Sequence, residues 1–199
     1  MNNHSRTLHL TFTAAFAAVV FLLGMTPLGL IPLGFINVTV LCVPVVAGTL
    51  LLGLRSGLIL GACFGIASTL SAFGLSMTAP SALALALAQR NPALAVAMCV
   101  VPRLMVPVVA HLTYRLFAQG QERSAKALPF AAAAGSLTNT ILYLGLMLLF
   151  YVVAGIDAQP VLGLIAGVAV TAGISEAVVA ALLVTPIVGA LWKAGKKQE

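Results

Sequence analysis

Residues 25–68 read MTPLGLIPLGFINVTVLCVPVVAGTLLLGLRSGLILGACFGIAS, and this stretch decides the fold class. It begins with a loop, residues 25–36, that is built from proline, glycine and large apolar residues. Two apolar segments follow, joined by a short basic turn at residues 53–57. A soluble protein would not expose such a loop to water, whereas a membrane protein can fold it back as a lid over a cavity between helices. The stretch therefore predicts a helical membrane bundle with an apolar lid.

Composition supports a membrane protein. The 199 residues are 61% hydrophobic and only 7% charged, whereas globular domains carry about 25% charged residues. The net charge of +6 could suggest a nucleic-acid partner, but the basic residues lie at the ends of apolar segments. The positive-inside rule explains that placement better. The sequence therefore predicts an all-α membrane protein in contact with the lipid bilayer, with no nucleic-acid partner.

The apolar segments predict six transmembrane helices in a single domain of residues 1–199. Each segment is about long enough to cross the hydrocarbon core. The sixth helix is expected to be tilted or kinked near Pro186, and the connector at residues 75–91 has room for a short helix. The predicted spans are residues 8–24, 38–53, 58–74, 93–117, 127–154 and 161–192.

Lysine and arginine residues predict the orientation of the bundle. With both termini inside, the only basic residue in an outer loop is Arg90, and Arg103 lies within a span. The others fall on the inner side: Arg6, Arg55, Arg115, Arg123, Lys126, Lys193, Lys196 and Lys197. This bias predicts that both termini are cytoplasmic and that the loop at 25–36 faces outward.

Two ionisable residues lie deep within spans, Arg103 and Glu176. A charge near the bilayer centre costs about 2.5 to 3.5 kcal/mol even on insertion scales, so such residues face the bundle interior or a wet cavity. One hypothesis is that the two pair with each other and only fix helix packing. The other is that Arg103 is available to an anionic ligand such as a carboxylate.

Polar side chains in and near the spans supply further candidates for a ligand site. Ser136, Asn139 and Tyr143 follow the spacing i, i+3, i+7 and therefore lie on one helix face. Such a stripe suits either a ligand wall or hydrogen bonds between helices. Asn37 and Thr39 follow the loop at 25–36 and are expected at the outer mouth of the bundle.

Motifs for catalysis and nucleotide binding are missing from the sequence. It contains no GxxxxGK[ST] for a P-loop, no HExxH and no GxSxG. The three cysteines, Cys42, Cys63 and Cys99, show no metal-ligand spacing and lie inside apolar segments. We therefore predict no catalytic residue and no metal site.

At the level of whole motifs, the chain resembles the substrate-binding S components of energy-coupling factor (ECF) vitamin transporters, and is most similar to the pantothenate-type branch. The resemblance covers essentially the whole chain, including its length, six spans and proline- and glycine-rich first outer loop. It is carried by IPLG at 31–34, VPVVAGTLLLG at 43–53, Gly57, the glycines of 61–65, Pro102-Arg103 and GSLTNT at 135–140.

The resemblance implies a function in a prokaryotic plasma membrane. S components bind a vitamin beneath the first outer loop, dock on a separate membrane scaffold subunit and topple in the membrane, driven by two cytosolic ATPases. It implies that Ala14 and Ala18, an AxxxA pair, form the docking surface. It also implies that this chain needs no cofactor, because ATP is bound by the partner ATPases. Arg103, Asn139, Tyr143, Asn37, Thr39 and Glu176 are then the candidate substrate-binding residues.

Other functions remain open from the sequence alone. A stand-alone carrier coupled to protons or sodium would need a titratable residue on its path, and Glu176 is the only deep carboxylate. An intramembrane enzyme is disfavoured by the missing motifs. A bundle with a purely structural role is a further alternative. Within the S-component interpretation the ligand could also be folate, cobalamin or niacin.

Overall fold

The computed structural model is a bundle of helices with one short β-hairpin. It describes residues 3–32, 37–121 and 123–195, and describes only the backbone at 3–6, 30–32, 37–38, 168–170 and 194–195. The strands β1 (Leu30–Pro32) and β2 (Asn37–Thr39) pair antiparallel. The helices are α1 (Asn3–Met25), α2 (Cys42–Leu52), α3 (Leu54–Ala72), α4 (Ala82–Arg90), α5 (Pro92–Ala118), α6 (Leu128–Val153), α7 (Gln159–Leu164) and α8 (Val170–Gly195).

Five helices in the described part of the chain are long and apolar enough to cross a membrane: α1, α3, α5, α6 and α8. The helical membrane class predicted from the sequence is therefore confirmed. The predicted second span is the exception, because α2 has 11 residues and a helix of that length measures only about 16 Å. The hydrocarbon core is about 30 Å thick, so α2 alone does not reach across it.

The segment before α2, expected from the sequence to be a loop that acts as a lid, contains the two paired strands of a hairpin. Leu30 is the register partner of Thr39, and residues 33–36 lie outside the described part of the chain. The strand at 37–39 delays the start of the second helix from the expected residue 38 to Cys42. The hairpin ladder satisfies backbone groups that would be costly to leave unpaired in a membrane.

Helix α2 forms the centre of the bundle. Its residues from Cys42 to Thr49 are all buried, and it packs against α1, α3, α5, α6 and α8. Val45 and Val46 are fully buried in the main apolar cluster with Phe64 and Val106. A helix that is apolar on every side fits this central position, because it has no face that requires water or lipid.

Helices α3 and α5 approach closely where Gly57 and Gly61 on α3 face Pro107 on α5. A Cβ atom added at Gly61 would lie 2.7 Å from the carbonyl oxygen of Arg103 and 3.3 Å from the Pro107 ring. A Cβ atom at Gly57 would lie 3.0 Å from the same ring. Glycine is therefore required here to bring the backbone of α3 against the part of α5 that carries Arg103.

Replacing Gly61 with alanine should destabilise the protein by about 1 to 3 kcal/mol, because the added methyl group meets backbone that cannot move aside freely. Gly145→Ala is the matched control, since a Cβ atom at Gly145 would have no neighbour within 4 Å. That control should be neutral or stabilising by up to about 1 kcal/mol. Thermal unfolding in detergent measures both, and equal melting temperatures would contradict the close-packing argument.

The last predicted span is divided into three parts. Helix α7 leads into a π-helical segment at Ile165–Ala169, and α8 follows. The π-helical segment is a departure from regular α-helix that the sequence did not predict. Helix α8 continues through Pro186, and the expected tilt or kink at that proline stays a prediction. The helix in the connector at 75–91 is α4, which Ser81 caps by accepting a hydrogen bond at Oγ from the N–H of Ala84 at 3.2 Å.

Candidate ligand-binding site

A polar cavity lies between α3, α4, α5, α6, α8 and the end of β2. Its volume is about 50 Å³. Hydroxyl groups, one amide, one guanidinium and one carboxylate face it, and apart from Ser81, which caps α4, all of these belong to membrane-length helices or to the hairpin. The lining residues are Thr39, Ser68, Ser71, Ala72, Ser81, Ala84, Arg103, Asn139, Thr140, Tyr143, Leu144, Ala172 and Glu176.

Arg103 lies between two aromatic rings. Its side chain is 5% exposed, and its guanidinium carbon is 5.1 Å from the ring centre of Phe64 and 4.5 Å from that of Tyr143. The negative ring faces stabilise the buried cation. Its Nε and Nη1 atoms have no hydrogen-bond partner in the described part of the chain. The rings therefore support the charge while the N–H groups remain free to donate.

Glu176 is anchored by neutral donors rather than by Arg103. Its Oε1 accepts from the backbone N–H of Thr39 at 3.0 Å, and its Oε2 accepts from the hydroxyl of Thr140 at 2.7 Å. No ion pair joins Glu176 to Arg103, although both line the cavity. The structure therefore does not contain the direct Arg103–Glu176 pair that one of the two hypotheses predicted.

Helix α6 contributes Asn139, Thr140 and Tyr143 to the cavity. Asn139 is 4% exposed, and its Oδ1 atom lacks a hydrogen-bond partner among the described groups. Ser136, which the i, i+3, i+7 pattern grouped with these residues, is buried one turn away. It lines an adjacent apolar crevice that shares Thr39 and Glu176 with the cavity. Of the three residues in the predicted polar stripe, Asn139 and Tyr143 face the cavity and Ser136 does not.

Five of the six predicted substrate-binding residues are brought together, although the sequence places them on four separate elements. These five are Thr39, Arg103, Asn139, Tyr143 and Glu176. The side chain of Asn37 lies outside the described part of the chain, and only its backbone, paired with Pro32, is defined.

Sequence reasoning missed the contribution of α3. Phe64, Ser68 and Ser71 are spaced i, i+4 and i+7, and this one face supplies a ring beside Arg103 and two hydroxyl-bearing residues of the cavity wall. The sequence held one signal, because the spacing i, i+4, i+7 places these three residues on one helix face. Thr140 was also left out, although it follows Asn139 directly.

The predicted docking residues lie on the outer surface of α1. Ala14 and Ala18 are both exposed, and α1 packs only its other face, against α2 and α3. Leu22, one turn beyond Ala18, is 59% exposed. The small residues therefore leave a shallow apolar surface that no described part of this chain covers.

Comparison with known proteins identifies the family. Residues 8–188 match the family described as ECF transporter, substrate-specific component. The chain is also 30% identical over 163 residues to the pantothenic acid transporter PanT of Lactococcus lactis subsp. cremoris (strain MG1363), a match that covers 78% of each chain. The resemblance inferred from the sequence is thus confirmed, together with its similarity to the pantothenate-type branch. The chain belongs to the ECF transporter family as a substrate-specific component, and is a multi-pass membrane protein.

Proposed function

We propose that this chain is the high-affinity substrate-binding subunit of an ECF importer for a water-soluble vitamin that carries a carboxylate, with pantothenate as the first candidate. The observation that carries the proposal is Arg103, a buried cation in a cavity with two free hydrogen-bonding nitrogens. A guanidinium binds a carboxylate through parallel hydrogen bonds. The relative named as a pantothenic acid transporter supports the choice of ligand.

The cavity residues have complementary roles in this proposal. Arg103 meets the carboxylate, while Asn139, Tyr143 and Asn37 meet hydroxyl or amide groups of the ligand, and Thr39 belongs to the cavity wall. Glu176 accepts a hydrogen bond from a ligand hydroxyl or N–H group. The cavity volume of about 50 Å³ is below the roughly 300 Å³ of a small-molecule site, so binding has to widen the space between the helices.

Energy for import comes from other subunits in this proposal. The chain docks through Ala14 and Ala18 on a membrane scaffold subunit, and two cytosolic ATPases bind and hydrolyse ATP. Exposed small residues support this role, because they allow a partner helix to approach closely in lipid. The chain itself then uses no cofactor and topples in the membrane with its ligand.

The decisive experiment is mass spectrometry of the small molecule that copurifies with the protein, followed by calorimetric titration of pantothenate. Binding of pantothenate by the isolated subunit supports the proposal. Binding only of folate or niacin would replace the ligand but keep a vitamin with a carboxylate. Binding only of cobalamin, which has no free carboxylate, would keep a vitamin importer but contradict the role of Arg103. Transport by the purified subunit alone in liposomes, driven by a proton or sodium gradient, would instead establish a stand-alone carrier.

Both termini are proposed to be cytoplasmic. Two contacts and one cavity at the same end of the bundle support a shared side. His9 on α1 donates to the carbonyl of Leu52 on α2 at 2.9 Å, and the rings of Tyr114 on α5 and Trp192 on α8 lie 6.3 Å apart between their centres. Helices α2 and α5 both end beside one cavity. Arg55, in the first turn of α3, and Arg123 and Lys126, in the loop after α5, belong to this end.

Impermeant maleimide labelling tests this orientation in intact cells. In a background without Cys42, Cys63 and Cys99, an Asp157→Cys variant should be labelled and a Gln121→Cys variant should not. Both positions are exposed, so accessibility alone does not distinguish them. The opposite pattern would invert the proposed topology.

A further inference from the structure

The cavity holds one positive and one negative charge apart from each other. Among its described lining residues, Arg103 and Glu176 carry the only formal charges, and they form no ion pair. Each is supported separately, Arg103 by the rings of Phe64 and Tyr143 and Glu176 by two hydrogen-bond donors. A ligand carboxylate on Arg103 would therefore leave Glu176 as an uncompensated negative charge in the same space.

The position of Glu176 is fixed by both of its oxygens. The N–H of Thr39 belongs to strand β2, and the hydroxyl of Thr140 belongs to α6. Because these donors lie on different elements, the carboxylate cannot turn out of the cavity without losing at least one charge-assisted hydrogen bond. The negative charge is thus a built part of the cavity wall.

We propose that Glu176 determines the charge of the transported ligand by excluding compounds that carry a second anionic group, such as a phosphate ester, at the end remote from the carboxylate. This inference rests on the proposed function, in which Arg103 takes the carboxylate. Ligands whose remote end carries a hydroxyl or N–H group can donate to Glu176 and are allowed to bind. A second anion would face the like charge of Glu176 away from bulk water, where repulsion between charges is strong. Glu176 then acts as a repulsive specificity element, which rejects competitors that share the rest of the ligand.

Three probes separate charge from size. They are pantothenate, the phosphate monoester of its primary hydroxyl, and the sulfamate ester of the same hydroxyl. The sulfamate group is tetrahedral like the phosphate but neutral. The wild-type protein should bind the phosphate ester at least about tenfold more weakly than the sulfamate ester, since only the phosphate brings a second negative charge next to Glu176.

The Glu176→Gln variant removes the charge and keeps an oxygen that can accept from Thr39. It should reduce the preference for sulfamate over phosphate by about tenfold or more. Asp157→Asn is the matched control, because Asp157 is an exposed carboxylate outside the cavity, and its loss should leave the preference unchanged. If the glutamine variant does not purify in folded form, Glu176→Thr removes the same charge with a smaller side chain.

The outcomes distinguish this inference from the proposed function. Equal rejection of both esters by the wild-type protein would mean that size excludes them, and would overturn the inference while pantothenate binding stands. An unchanged preference in the Glu176 variants would overturn it as well. Failure of the wild-type protein to bind pantothenate at all would remove the proposed ligand, and the inference with it.

Discussion

Arg103→Ala should weaken pantothenate binding by about thirtyfold to a few thousandfold, the largest loss expected for a single side chain of the cavity. Truncating one member of a buried, hydrogen-bonded charge pair costs about 2 to 5 kcal/mol, and each 1.4 kcal/mol corresponds to a factor of ten. The alanine variant loses both the guanidinium and its contacts with the rings of Phe64 and Tyr143. Isothermal titration of the purified subunit measures the change.

Two further variants test whether the loss of binding is due to the guanidinium group of Arg103. Arg103→Lys keeps the positive charge without the planar fork, so it should recover only part of the lost affinity. Arg115→Ala removes an exposed basic residue of the same helix and should leave binding unchanged. If a folded Arg103→Ala protein still binds pantothenate at wild-type strength, Arg103 does not meet the ligand, and the proposed roles of the cavity residues are wrong.

Ala18→Trp should abolish transport by the assembled complex while leaving ligand binding by the isolated subunit intact. The indole would stand on the exposed face of α1, where it would keep a partner helix from approaching closely. Because α1 contributes no residue to the cavity lining, affinity for the ligand should not change. Copurification with the scaffold and ATPase subunits, followed by uptake of labelled pantothenate in cells, measures the loss.

A tryptophan on another outer face controls for bulk alone. Leu182 on α8 is 68% exposed, and Leu182→Trp should copurify with the partners and transport normally. Ala14→Trp should behave like Ala18→Trp, because both alanines lie on one face of α1. Normal transport by both alanine variants would mean that the scaffold docks elsewhere on the protein.

Sequence reasoning was most successful for long runs of apolar residues and for charged residues that are costly to place in a membrane. Five spans follow from runs of apolar residues that have no other explanation at this length. Arg103 and Glu176 could be selected because a charge in a membrane helix needs a reason. That cost fixes where such residues face, towards the interior, but does not determine what they contact.

The unpredicted features depend on packing between elements distant in the chain. Whether Glu176 binds Arg103 or the N–H of Thr39 depends on the register of a three-residue strand against α8. The late start and short length of α2 likewise reflect the strand before it and the helices packed around it. Tertiary contacts override local propensity at such positions. Ser68 was overlooked because one hydroxyl among apolar residues is an ordinary component of a membrane helix.

The cavity wall draws on residues from Thr39 to Glu176, and each of six elements contributes to it. A bound ligand would therefore tie together segments that separate when the chain unfolds. A compound that binds only the folded state adds RT ln(1 + [L]/Kd) to its stability, about 2.7 kcal/mol at a concentration one hundred times Kd. Occupancy and unfolding are thus thermodynamically linked, so the melting temperature of the subunit alone reports its ligand without label, scaffold or ATP.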